Sequence, residues 1–114
     1  MSITVAFDVD GTLIHLAGGK EDTPRYDVIQ FFHLLESFGF CMAIWSGGGV
    51  DYAERWRDKL GLTARVVPKG SFVPDIAVDD EEVSLGKVNI CVTKKLSPLP
   101  VDEALLKELP DEEE

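Results

Sequence analysis

Asp8 and Asp10 stand two positions apart at the end of the apolar run "ITVAF", and Gly11 and Thr12 follow them at once. An Asp-Gly turn accounts for Asp10 and Gly11, because both residues suit a bend. It does not account for Asp8, which extends the apolar run and costs several kcal/mol to bury unless a cation or hydrogen-bond donors compensate. Compensation must come from elsewhere in the chain. Other residues able to do chemistry are Ser46 with Gly47, Gly48 and Gly49, then Lys69, then Asp79 and Asp80.

Each of these groups follows an apolar run. Runs rich in Val, Ile and Ala at 3–7, 40–45, 75–78 and 88–92 read as strands buried on both faces, with a weaker fifth, "ARVV", at 64–67. Between the first two, "TPRYDVIQFFHLLESFG" predicts a helix with Thr23 as N-cap, Pro24 at its first position and Gly39 as its stop. Val28, Phe31, Phe32, Leu35 and Phe38 recur there at helical spacing. A second helix is expected over "VDYAERWRDKLG", with Tyr52, Trp56 and Lys59 or Leu60 on related faces and Gly61 ending it.

Alternating strands and helices imply α/β architecture, a parallel sheet with right-handed crossovers and helices on its faces. The expected fold is a Rossmann-like three-layer sandwich around a small parallel sheet of about five strands. In open sheets of this kind ligands bind outside the carboxyl ends of the strands. All of the chemistry-bearing residues above fall at such ends.

Four carboxylates converging on one sheet edge repel one another and raise each other's pKa unless a hard cation sits among them. Oxygen ligands without a His or Cys cluster favour Mg²⁺. A lysine, a serine hydroxyl and glycine-exposed N–H groups at a helix start suit a phosphate beside that cation.

In this order, "DVDGT", "MAIWS", Lys69 within "VVPKGSFVP" and "IAVDD" resemble the four motifs of the haloacid dehalogenase superfamily phosphatases, across residues 3–80. The resemblance implies that Asp8 is the nucleophile that forms an aspartyl-phosphate, and that Asp10 is the general acid and base. It implies that Ser46 and Gly47 bind phosphate and that Lys69 neutralises charge on it. It implies that Asp79 and Asp80 hold Mg²⁺ together with Asp8 and the main-chain carbonyl of Asp10. Glu81 and Glu82 read as a solvated acidic run.

The segment before the first helix is too short for a cap domain, so the resemblance is to the minimal, capless members. "TLIHLAGGKEDT" is expected to form a short flap turning at Gly18 and Gly19. From it Lys20 and Arg25 would reach a substrate, with His15 in a solvated loop. An open site of this kind acts on the end of something larger or borrows a second copy of the chain as a lid.

The expected activity is Mg²⁺-dependent hydrolysis of a phosphate ester. The alternatives are phosphotransfer, a polynucleotide 3′-phosphatase, and a non-catalytic binding or scaffold module of the same fold.

Length and charge bound these readings. The 114 residues fit one domain, taken as 1–101, followed by an acidic tail over 102–114. That tail carries seven of the 21 acidic residues and one of the 11 basic ones, leaving 14 acids against 10 bases. An acidic body does not track a nucleic-acid backbone, which leaves a phosphorylated end as the one nucleic-acid target. No apolar run approaches the roughly 18 residues that cross a bilayer, so no membrane partner is expected. Cys41 and Cys91, without CxxC spacing or a secretory segment, are expected as buried thiols of a soluble, cytoplasmic protein.

Overall fold

The structure, a computed structural model, describes residues 2–15 and 23–92. Each apolar run becomes a strand: β1 (Thr4–Asp8), β2 (Cys41–Trp45), β3 (Arg65–Val66), β4 (Ile76–Asp79) and β5 (Val88–Cys91). Two helices separate the first three, α1 (Tyr26–Ser37) and α2 (Val50–Leu60). All strands run parallel in the order β3-β2-β1-β4-β5, an arrangement compatible with a Rossmann-like fold. The chain winds outward from β1 to β3 and then returns to the other side of β1. The β1–β4 boundary is therefore the switch point, where parallel α/β sheets open a crevice.

Alternation divides the sheet into two unlike faces. Val5, Phe7, Met42, Ile44 and Val78 form one, and they pack with Val28, Phe32 and Leu35 of α1 and with Ala53 and Trp56 of α2 in a single core. Phe7 meets Phe31 and Phe32 edge-on, with ring centroids 6.0 and 5.1 Å apart. Each side chain of this size contributes about 2 kcal/mol by leaving water. Ala6, Ala43, Ala77 and Trp45 form the other face, covered by Val67, Phe72 and Leu85 from the connections after β3 and β4.

The expected helical layer on that second face is therefore not found among the described residues. Residues 67–75 and 80–87 are short for a helical crossover, and Pro68, Gly70, Pro74 and Gly86 interrupt them. Small residues let these connections lie flat on the sheet. A β-carbon on Gly86 would stand 2.9 Å from the Ala77 nitrogen.

Other expectations are corrected locally. α1 starts at Tyr26, and Arg25 precedes it without a side-chain cap. Thr23 and Pro24 instead belong to an antiparallel pairing with the end of the β1 loop: His15 N–H donates to Thr23 O, Arg25 N–H donates to Leu13 O, and Pro24 bridges Ile14. Gly39 and Gly61 end the helices with positive φ, as expected. Phe38 is 59% exposed at the C-cap of α1, where its ring meets Phe40 edge-on rather than the core.

Both cysteines are exposed and free. Cys41 opens β2 at the rim of the sheet, and Cys91 lies on the edge strand β5, so neither reaches the core. Exposure also departs from the two-faced burial expected of β5. The turn of the flap at Gly18 and Gly19, Lys20 and the acidic tail over 102–114 lie outside the described residues.

Candidate active site

The register builds the site. Pairing Phe7 of β1 with Val78 of β4 sets the next residues, Asp8 and Asp79, side by side at the carboxyl end of the switch point. Both are buried, at 4% and 3% exposure, and both belong to the alanine-lined face. Two adjacent buried carboxylates demand a counter-charge. Lys69 supplies it from the connection after β3: its Nζ lies 3.0 Å from Asp8 Oδ1 and 2.8 Å from Asp79 Oδ2.

The remaining oxygens are held by neighbours. Thr12 Oγ1 lies 3.2 Å from Asp8 Oδ2 and 3.5 Å from Asp80 Oδ1. Glu81 N–H donates to Asp79 Oδ1 at 3.0 Å. Asp80 leans over Gly11, whose φ of +78° and missing side chain admit it. Gly11 O in turn accepts from Nη1 of Arg25 at 2.9 Å. Arg25 is 3% exposed and pairs with Asp27 at 3.3 Å, so it braces the loop from beneath and does not reach a substrate from the flap.

Burial, then the neighbouring Asp79, pushes the Asp8 carboxyl up to about 7 against the opposing pull of Lys69. Burial and Asp79 also raise Asp80. Burial disfavours the charged form of Lys69, but its two carboxylate partners outweigh that and hold its pKa above the ordinary lysine value. The cluster is thus short of positive charge, which favours the protonated forms of Asp8 and Asp80.

A cation would answer the same shortage. One carboxylate oxygen from each of Asp8, Asp79 and Asp80 can be chosen so that all lie within 4.8 Å of one another. Asp79 Oδ2 is buried, and the Lys69 ammonium 2.8 Å away is its partner. An all-oxygen, anionic donor set with more negative charge than one lysine offsets fits a metal ion, and a hard one. Asp10, expected to reach the metal by its main-chain carbonyl, adds no carboxylate to this trio. Its Oδ1 instead accepts from Tyr52 Oη at 2.5 Å.

Above the carboxylates lies an open cleft of about 250 Å³, lined by Asp8, Asp10, Gly47, Gly48, Lys69, Asp79, Asp80, Glu81 and Val83. Glu81 therefore rims the cleft, whereas Glu82 is simply exposed. Ser46, 3% exposed, sits behind the glycines, and its Oγ accepts the Gly48 N–H at 2.9 Å. A hydroxyl that accepts in this way still has its proton to donate. The glycines run directly into α2, which begins after Gly49 at a φ of +105°.

Thr12, Tyr52 and the bracing role of Arg25 escaped the sequence reading. The threonine alone had a signal, its fixed place four residues after Asp8. No family model, curated protein or solved structure matches the chain. Among the described residues no helix is long and apolar enough to cross a membrane.

Proposed function

We propose that the chain is a Mg²⁺-dependent phosphate-ester hydrolase of the capless haloacid dehalogenase type, working through an aspartyl-phosphate on Asp8. The observation that carries this reading is Lys69 bridging Asp8 and Asp79 at the switch-point cleft, with Asp80 completing an oxygen trio. A nucleophilic carboxylate, a fixed cation and a cation-binding trio at one strand edge are what displacement at phosphorus needs.

In this mechanism Asp8, Asp79 and Asp80 hold Mg²⁺, which when bound offsets the negative charge of the phosphoryl group and of Asp8. Lys69 draws the phosphoryl oxygens toward Asp8, and the Gly47–Gly48 turn leaves room for them. A carboxylate oxygen of Asp8 bonds to phosphorus as the ester P–O bond breaks. Asp10 gives its proton to the leaving oxygen. Asp10 then takes a proton from the water that attacks phosphorus, which frees inorganic phosphate and restores the Asp8 carboxylate.

Phosphate release from a panel of monoesters tests this reading. The wild type is expected to release phosphate with Mg²⁺, to stop in EDTA and to resume on adding Mg²⁺ back. Asp8→Asn, nearly isosteric but a poor nucleophile, is expected to release none. Turnover persisting in Asp8→Asn, or indifferent to EDTA, would contradict it. The acidic rim of Asp10, Asp80 and Glu81 argues against a polynucleotide end as substrate.

A further inference from the structure

We infer that Tyr52 is the positioning residue for the acid–base carboxyl of Asp10, an assignment that rests on the phosphatase reading and deepens it. Asp10 sits on the loop after β1, where rotation of its side chain could aim either oxygen at a leaving group. Tyr52 removes that freedom. Its Oη donates to Asp10 Oδ1 at 2.5 Å across 42 residues of sequence, from the first turn of α2. With Oδ1 accepting from the phenol, Oδ2 is the atom that carries the proton to the leaving oxygen and later takes one from water.

The phenol is itself held. One edge of its ring packs so closely on Gly48 that a β-carbon there would stand 3.1 Å from Tyr52 Cδ2. The guanidinium of Arg55 stacks 5.9 Å from the ring centroid. Gly48 lines the cleft, so the residue that leaves space for the phosphoryl group also leaves space for the ring that orients the acid. A single helix start thus sets both the phosphate turn and the direction of proton delivery. Tyr52 is absent from the cleft lining, so its hydroxyl reaches the reaction through Asp10.

This role has a signature that a merely structural one lacks. Departure of an alkoxide needs a proton, whereas departure of 2,4-dinitrophenolate needs almost none, and kcat/KM reports the steps up to that departure. Tyr52→Phe keeps the ring and removes the bond to Asp10. Its kcat/KM should fall about tenfold on an alkyl phosphate, a part of the range that general acid catalysis supplies. The loss on 2,4-dinitrophenyl phosphate should be smaller by about fivefold or more on the same grounds.

Adding Tyr52→Phe to Asp10→Asn should cost nothing further on the alkyl ester, because no acid is left to orient. Equal losses on the two esters, or an added loss in the double variant, overturn the role of Tyr52 while the phosphatase reading stands. A wild type inert on both esters overturns the phosphatase reading and this assignment with it.

Discussion

The carboxylate of Asp80 rests against the α-carbon of Gly11, so closely that a β-carbon there would stand 2.6 Å from Asp80 Cγ. Gly11 also holds a φ of +78°, where an alanine costs about 1 kcal/mol or more. Gly11→Ala is therefore expected to lower the melting temperature modestly and to push Asp80 out of the oxygen trio. The Mg²⁺-induced rise in melting temperature should shrink by more than the apo stability does. Thermal melts across a Mg²⁺ titration measure both, and an undiminished Mg²⁺ response would show that Asp80 is not needed for the cation.

The raised pKa of Asp8 makes the metal-free protein sensitive to pH in an unusual direction. Burial, reinforced by Asp79 and opposed by Lys69, moves this carboxyl from 3.8 to about 7. A folded-state pKa above the unfolded one means that the native state binds the proton more tightly. The stabilisation is complete below the unfolded value and is lost as pH rises through about 7. In EDTA, Asp8→Asn should thus gain stability relative to the wild type as pH climbs from 5 to 8. A gap between the two melting curves that stays constant with pH would refute this.

Lys69 and a metal ion answer the same charges, so each should substitute in part for the other. Lys69→Met leaves Asp8 and Asp79 buried without their cation. The loss should be on the order of 2 kcal/mol, below the range for a fully buried pair because Lys69 retains 27% exposure. Melts in EDTA should show a drop of several degrees, and Mg²⁺ should restore more stability to this variant than it adds to the wild type. A Mg²⁺ response no larger than that of the wild type would separate Lys69 from the cation site.

The site residues were legible in the sequence to the extent that strand ends dictate position. Asp8 and Asp79 end strands β1 and β4, so reading the strands put both at the carboxyl edge of the sheet, and the pairing of those two strands in register sets them side by side. Lys69 was found by its order after a weak strand, and the structure sets it between both carboxylates. Arg25 was misread, because a buried arginine under a loop and a solvent-facing one near a substrate look alike until the loop's path is known. Tyr52 reads as one more apolar position of a helix, and its hydroxyl acquires meaning only when α2 is docked beside the β1 loop. The missing helical layer was hidden for another reason. A continuous apolar run reports that both sheet faces are buried without reporting what buries them.

The central claim, that Asp8 carries a phosphoryl group with a divalent cation beside it, is tested most directly by thermal melts with beryllofluoride, which imitates phosphoryl bound to a carboxylate. Four conditions are compared for the wild type and Asp8→Asn: no addition, Mg²⁺ alone, beryllofluoride alone, and both. The wild type should gain much more from the pair than from the sum of the two, and Asp8→Asn should lose that synergy. Simple additivity in the wild type, unchanged in Asp8→Asn, would contradict phosphoenzyme chemistry at this site.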